Sequence, residues 1–108
     1  MSRYARRVDD NHSAIVKALR AAGCSVQSLA SIGRGCPDLL VGYAGRTLLV
    51  EVKAEAGPRG GLAHRLRNED QERWAARWRG CPVRIARTPE GAVALLSGAP
   101  VTASPGRA

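Results

Sequence analysis

Two short β-type runs at the centre of the chain, Leu39 to Tyr43 and Thr47 to Lys53, are separated only by Ala44-Gly45-Arg46. Runs rich in Leu and Val around a tight Gly-containing connection form a β-hairpin. With a two-residue Ala44-Gly45 loop, Tyr43 pairs with Arg46, and counting outward sets Asp38 directly opposite Glu51. A three-residue loop with a Gly bulge moves Asp38 by one instead, because an extra residue changes the register. In both cases side chains alternate along the strand, so Glu51 and Lys53 point to one side while Val50 and Val52 point to the other. A carboxylate and an ammonium therefore interrupt one face of a hydrophobic strand.

Directly opposed residues have Cβ atoms about 4.5–5.5 Å apart, and like charges so placed are destabilising unless something compensates them. A hard divalent cation is such a compensator: Mg²⁺ takes oxygen ligands, commonly one or two carboxylates together with waters and phosphate oxygens. The plainer reading of Glu51 and Lys53 is a solvent-facing ion pair at a strand end, worth little energy. Pro37-Asp38 on the facing strand favours a site over that reading.

The remaining elements follow from periodicity and punctuation. After a basic leader (Ser2 to Arg7), Asp9 or Asp10 caps a helix with Ile15, Val16, Leu19 and Ala22 on one face and Gly23 as its stop. Cys24 to Ala30 reads as a strand, followed by a turn-prone stretch through Gly33 and Gly35. Ala54 to Arg67 holds Gly57, Pro58, Gly60 and Gly61 among Arg59, Arg65 and Arg67, the composition of a mobile basic loop. Asn68 caps a second helix with Trp74, Ala75 and Trp78 on one face, ending near Gly80. Val83 to Ala86 is a fourth strand, and Thr88-Pro89-Glu90 starts a short last helix through Leu96. The order is αβββαβα without internal repeats: a single domain over residues 1–98 and a disordered tail over 99–108.

The formal net charge is +8, carried almost entirely by Arg, since Lys17 and Lys53 are the only lysines. That balance favours a polyanionic partner, although an Arg-rich composition also serves as a solvated surface. The three cysteines (Cys24, Cys36, Cys81) lack C-x-x-C spacing, and His12 and His64 form no helical metal pair, so reduced thiols are expected and a zinc site is not. No apolar run approaches the roughly 20 residues that span a bilayer, and no apolar signal core follows the basic N-terminus, so an intracellular, cytoplasmic protein is expected.

Gly35-Cys36-Pro37-Asp38, the hairpin stretch Leu39 to Val50, and Glu51-Val52-Lys53 together resemble the PD-(D/E)XK nuclease superfamily. The resemblance is closest to its small VRR-NUC-type members from phage and bacteria, and extends from Asp9 to about Leu96. It implies a restriction-endonuclease-like αβββαβ core, an α/β fold with a mixed sheet flanked by helices. It further implies a metal-dependent endonuclease that hydrolyses DNA phosphodiester bonds. Asp38, Glu51 and the backbone carbonyl of Val52 would be the metal ligands, with Mg²⁺ the expected cofactor and Mn²⁺ its substitute. Lys53 would contact the attacking water and the scissile phosphate. Similarity to stand-alone VRR-NUC proteins implies a structure-selective, junction-resolving role on duplex or branched DNA. One site per small domain calls for a homodimer if both strands are cut.

Four further assignments carry an alternative. Gln71 either reaches back to Asn68 in a capping box or, as in similar nucleases, sits near the metal or substrate; the second is preferred. Asn11 lies in a helix where relatives commonly carry Glu; it either faces the site as an outer support or bonds helix-start amides. Trp74 and Trp78, at i and i+4 in a chain without Phe, are expected in the core in preference to stacking on bases. Arg34, Arg59, Arg65 and Arg67 are expected to grip phosphates, the alternative being that they keep a Gly-rich loop solvated. The rival function is a non-catalytic basic module that binds nucleic acid through phosphates, or a basic face that docks an acidic protein.

Overall fold

A computed structural model describes residues 3–54 and 62–97, with side chains over 10–54 and 66–97. Its elements are α1 (Arg3–Ala21), β1 (Ser25–Ser28), β2 (Leu39–Tyr43), β3 (Arg46–Val52), α2 (Leu62–Arg77), β4 (Val83–Ala86) and α3 (Pro89–Ala94), which runs into a 3₁₀ turn, Leu95–Ser97. This is the expected order, and the α/β class holds: a four-stranded mixed sheet flanked by helices, consistent with a restriction-endonuclease-like fold. The domain limit at residue 98 and the expected tail over 99–108 lie outside the described residues.

The hairpin has the two-residue loop. Tyr43 pairs with Arg46 and Leu39 with Val50. Ala44 and Gly45 both take positive φ, 52° and 77°, the combination that matches the turn to the twist of its strands. β1 adds antiparallel to β2, and β4 adds parallel to β3 with Leu49 beside Val83 and Glu51 beside Ile85. The sheet order is therefore β1-β2-β3-β4, with α2 in the crossover between the parallel pair.

Alternation then sorts the sheet into two unlike faces. Val41, Leu39, Leu48, Val50, Val52 and Ala86 bury against Ile15 and Leu19 of α1 and against Ala92 and Leu96. Each fully buried aliphatic side chain there stabilises by roughly 1.5–3 kcal/mol, so this face holds the domain together. Thr88 caps α3 as expected: its Oγ1 accepts from Gly91 N at 2.8 Å, and Pro89 occupies the first turn. Arg46 at the start of β3 donates to the Leu96 carbonyl at 2.6 Å, tying the last turn to the sheet. The opposite face, with Leu40, Leu49, Glu51 and Ile85, is where α2 lies.

Two helix starts differ from expectation. α1 begins at Arg3, so Arg3 to Arg7 of the basic leader are helical and Asp9 and Asp10 lie inside the helix. α2 begins at Leu62, so the last six residues of the expected loop are helical and Asn68 is no cap. In both cases the residues before the presumed cap are helix formers without Gly or Pro, and nothing in them stops the helix extending backward.

Candidate active site

The site lies at the C-terminal ends of the parallel strands β3 and β4, where α2 crosses them. Ligands gather at that end of parallel sheets. Asp38 stands one residue before β2, and continuing the register past Leu39–Val50 brings it opposite Glu51. Its Oδ2 accepts the Val52 N–H at 2.7 Å and its backbone carbonyl accepts the Leu29 N–H at 2.7 Å. The side chain thus extends the strand ladder by one step, fixing the carboxylate against β3.

Glu51 is only 5% exposed. Burial, then the charge of Asp38 and a hydrogen bond to it, push its carboxyl up to about 8, against the opposing pull of Lys53. Burial away from water and a second carboxylate alongside both disfavour the charged form of Glu51. Gln71 Nε2 donates to Glu51 Oε2 at 2.5 Å, while Gln71 Oε1 accepts from Lys53 Nζ. Lys53 Nζ also donates to Asn68 Oδ1 at 3.1 Å and stands 4.0 Å from Glu51 Oε2. The Gln71 amide turns its oxygen to the cation and its nitrogen to the carboxylate, as the charges demand. With α2 starting at Leu62, Asn68 and Gln71 are interior helical residues, and the capping-box reading of Gln71 falls away.

A cavity of about 340 Å³ opens over this group, walled by Glu51, Lys53, Gln71, Pro37, Ile85 and Arg87 among others. Asp38 is not one of its walls and reaches it through Glu51. Gly35 (φ +84°) presses on α2: a Cβ there would lie 2.3 Å from the Asp70 carbonyl oxygen and 2.9 Å from Gln71 N. This close approach sets the height of α2, and with it Gln71, above the carboxylates. The Cys36 thiol is pushed up by burial and by the charges of Glu51 and Asp38, which keeps it protonated beside the pair. All three cysteines are free thiols.

Of the two roles weighed for Asn11, bonding helix-start amides falls away, because the residue is well inside α1. Its Nδ2 donates to the carbonyls of Lys53 at 2.7 Å and Arg87 at 2.9 Å, bridging the residues that follow β3 and β4. It is therefore an outer support, clamping the strand ends from which Lys53 and Arg87 project. Asn11→Asp would face those two oxygens with a third. It is expected to lose about 1–3 kcal/mol and to be less stable than Asn11→Ala in denaturant melts with chelator. The reverse ranking would remove the clamp.

Of the four arginines expected on phosphates, Arg34 is exposed in the loop before the site at φ 58°, and Arg67 is exposed on α2. Neither lines the cavity. Arg59 and the Arg65 side chain lie outside the described residues. Trp74 and Trp78 are not in the core: Trp74 is half-buried and Trp78 is 48% exposed, their rings stacked on each other with centroids 4.6 Å apart. Sequence reasoning missed Arg87 and Asn68. Arg87 follows β4, lines the cavity and donates to the Ala54 carbonyl at 3.1 Å; its position just past a strand parallel to β3 was the available signal.

The donor set suits a hard cation. Among the described residues no group of three or more His, Cys, Asp and Glu side chains converges, so an ion here would take two carboxylates and complete its shell with carbonyl, water or phosphate oxygens, as Mg²⁺ does. Glu51 lies buried opposite a second carboxylate, where a cation would offset the repulsion.

No family model and no curated protein matches the chain. A solved structure described as a VRR_NUC domain does, with a TM-score of 0.54 at 25% identity over 86% of this chain and 97% of that one. Among the described residues no helix is long and apolar enough to cross a membrane.

Proposed function

We propose that this chain, which has the fold of a VRR-NUC-type nuclease in the PD-(D/E)XK superfamily, hydrolyses DNA phosphodiester bonds with a divalent cation held by Asp38, Glu51 and the Val52 carbonyl. The observation that carries this reading is the buried Glu51 carboxylate, set opposite Asp38 on one side and linked through Gln71 to Lys53 on the other. A solvent-facing ion pair would need none of that arrangement. Bound there, Mg²⁺ or Mn²⁺ would polarise the phosphoryl oxygens and make a coordinated water more acidic.

The chain's own residues do the rest. Asp38 is immobilised by the Val52 amide and Glu51 by the Gln71 amide, so both carboxylates are held in place before substrate arrives. Lys53 is held at the cavity wall by Gln71 and Asn68, a fixed positive charge for the scissile phosphate that needs no reorganisation in the transition state. Arg87 adds a second cation at the same wall. A net charge of +8 draws the polyanion in. Since the described residues carry one such site, cutting both strands of a duplex or a junction calls for a two-fold homodimer.

The test incubates wild type, Asp38→Ala and Lys53→Ala with linear duplex, single-stranded, flapped and four-way-junction DNA, with and without Mg²⁺ or Mn²⁺. Metal-dependent cutting is expected, undetectable in Asp38→Ala and lowered roughly 10²–10³-fold in Lys53→Ala. The ranking of substrates reads out any selectivity for branched DNA. Salt-sensitive binding without cleavage, unchanged by Asp38→Ala, would leave a non-catalytic basic module instead.

A further inference from the structure

The Trp74–Trp78 stack belongs neither to the core nor to the carboxylate group. The two planes are inclined by only 14°, and Trp78 continues the helical hydrogen-bonding of α2 by donating its N–H to the carbonyl of Trp74 at 3.1 Å. Gln71, Trp74 and Trp78 follow one another at i, i+3 and i+7, so the stack prolongs the helix stripe that carries Gln71 over the cavity. Gly80 makes room for the indole: a Cβ there would lie 2.7 Å from Trp78 Nε1. Ala75, between the two tryptophans in sequence, and Ile85, 52% exposed, line the cavity wall.

The stretch of sequence that carries the pair and follows it is charged with one sign. From residue 73 to 89 the chain has Arg73, Arg77, Arg79, Arg84 and Arg87 and no acidic residue. Arg77 is three residues from Trp74, hence its neighbour on the helix surface. Arg73 is held by Asp70 at 2.5 Å, and Arg77 and Arg79 are exposed. Flat aromatic surface interleaved with arginine is what single-stranded nucleic acid uses, bases stacking on rings while cations track the phosphates. A regular duplex offers the arginines its phosphates but keeps its base faces stacked inside, away from the rings.

We propose that the Trp74–Trp78 pair is a stacking platform for an unpaired nucleobase of a single-stranded nucleic-acid segment. On the nuclease reading, and only for this step, the platform would place that base a short way along α2 from the phosphate that faces Lys53. Substrates with unpaired or frayed nucleotides beside the scissile bond would then be preferred to uniform duplex.

The experiment needs no cleavage. Trp74 and Trp78 are the chain's only tryptophans, so a base stacked on them quenches the intrinsic fluorescence of the full chain directly. Short oligothymidylate, an abasic strand of equal length and a blunt duplex are titrated in chelator, with labelled-strand anisotropy in parallel. Oligothymidylate is expected to quench and the abasic strand is not. Trp78→Ala is expected to weaken oligothymidylate binding about tenfold, while Trp78→Tyr keeps most of it. Trp78→Ala should leave the salt slope unchanged, because it removes no phosphate contact. Equal quenching by the abasic strand, or equal losses for the Ala and Tyr variants, would overturn the platform. So would quenching that follows protein concentration without DNA, which would assign the surface to a second copy of the chain. Quenching retained by a chain that cuts nothing would overturn the nuclease reading and support the platform.

Discussion

In chelator at pH 9, Glu51→Gln is expected to melt on the order of 10 °C above wild type while cutting no DNA when metal is restored. The folded Glu51 carboxyl, at about 8 against an ordinary 4.5, is penalised for ionising where it is buried against Asp38. The native state therefore binds a proton between those two values that the unfolded chain has released, and stability falls as pH rises through that window. Below about 4.5 both states are protonated and the penalty vanishes; above about 8 it is complete, at a few kcal/mol. Gln is neutral at every pH. Its oxygen still accepts from Gln71 and its amide can donate to Asp38, so the variant keeps the geometry and loses the penalty. The two proteins should melt together at pH 4 and diverge toward pH 9. Added Mg²⁺ should then raise the Tm of wild type and leave the variant where it was, because only the former has the second carboxylate to offer. Parallel melting curves at all pH values would mean that Glu51 is not held in this environment.

Gly35→Ala is expected to lower the cleavage rate by roughly 100-fold, the scale on which a displacement of about 1 Å near reacting groups is felt. The methyl group would fall 2.3 Å from the Asp70 carbonyl oxygen, and both that atom and Gln71 N are backbone, with no side-chain rotation to relieve the clash. Either α2 lifts or the loop before Asp38 withdraws; in each case Gln71 no longer spans Glu51 and Lys53. Gly33→Ala is the control. Gly33 also has a positive φ, 75°, but nothing lies within 4 Å of its added Cβ, so that variant incurs only the left-handed backbone cost of about 1–2 kcal/mol. A Tm loss shared by both variants with a rate loss confined to Gly35→Ala is the expected pattern. Equal rates for the two would detach Gly35 from the site.

Much of this arrangement was legible before any coordinates. The hairpin fixed its own register through Ala44-Gly45, and period-two alternation then put Val50 and Val52 in the core and Glu51 and Lys53 on the other face. Those inferences depend on short-range rules, and they held. The failures were of a different kind. Asp9, Asp10 and Asn68 have side chains that cap helices, but a cap is used only where the helix ends, and nothing around them ends it. Trp74 and Trp78 share a helix stripe, as their spacing requires; what spacing does not encode is whether another layer covers that stripe. Asn11 could be placed near the site, but its partners are carbonyls 42 and 76 residues away, and no local pattern announces a bond of that range.

Gln71 reaches from α2 to both charged groups of the sheet. One amide therefore docks a helix and orients the groups beneath it, so selection on this position acts on architecture and chemistry at once. A change that relaxed the helix would retune the carboxylate and the amine together, because one side chain bridges both.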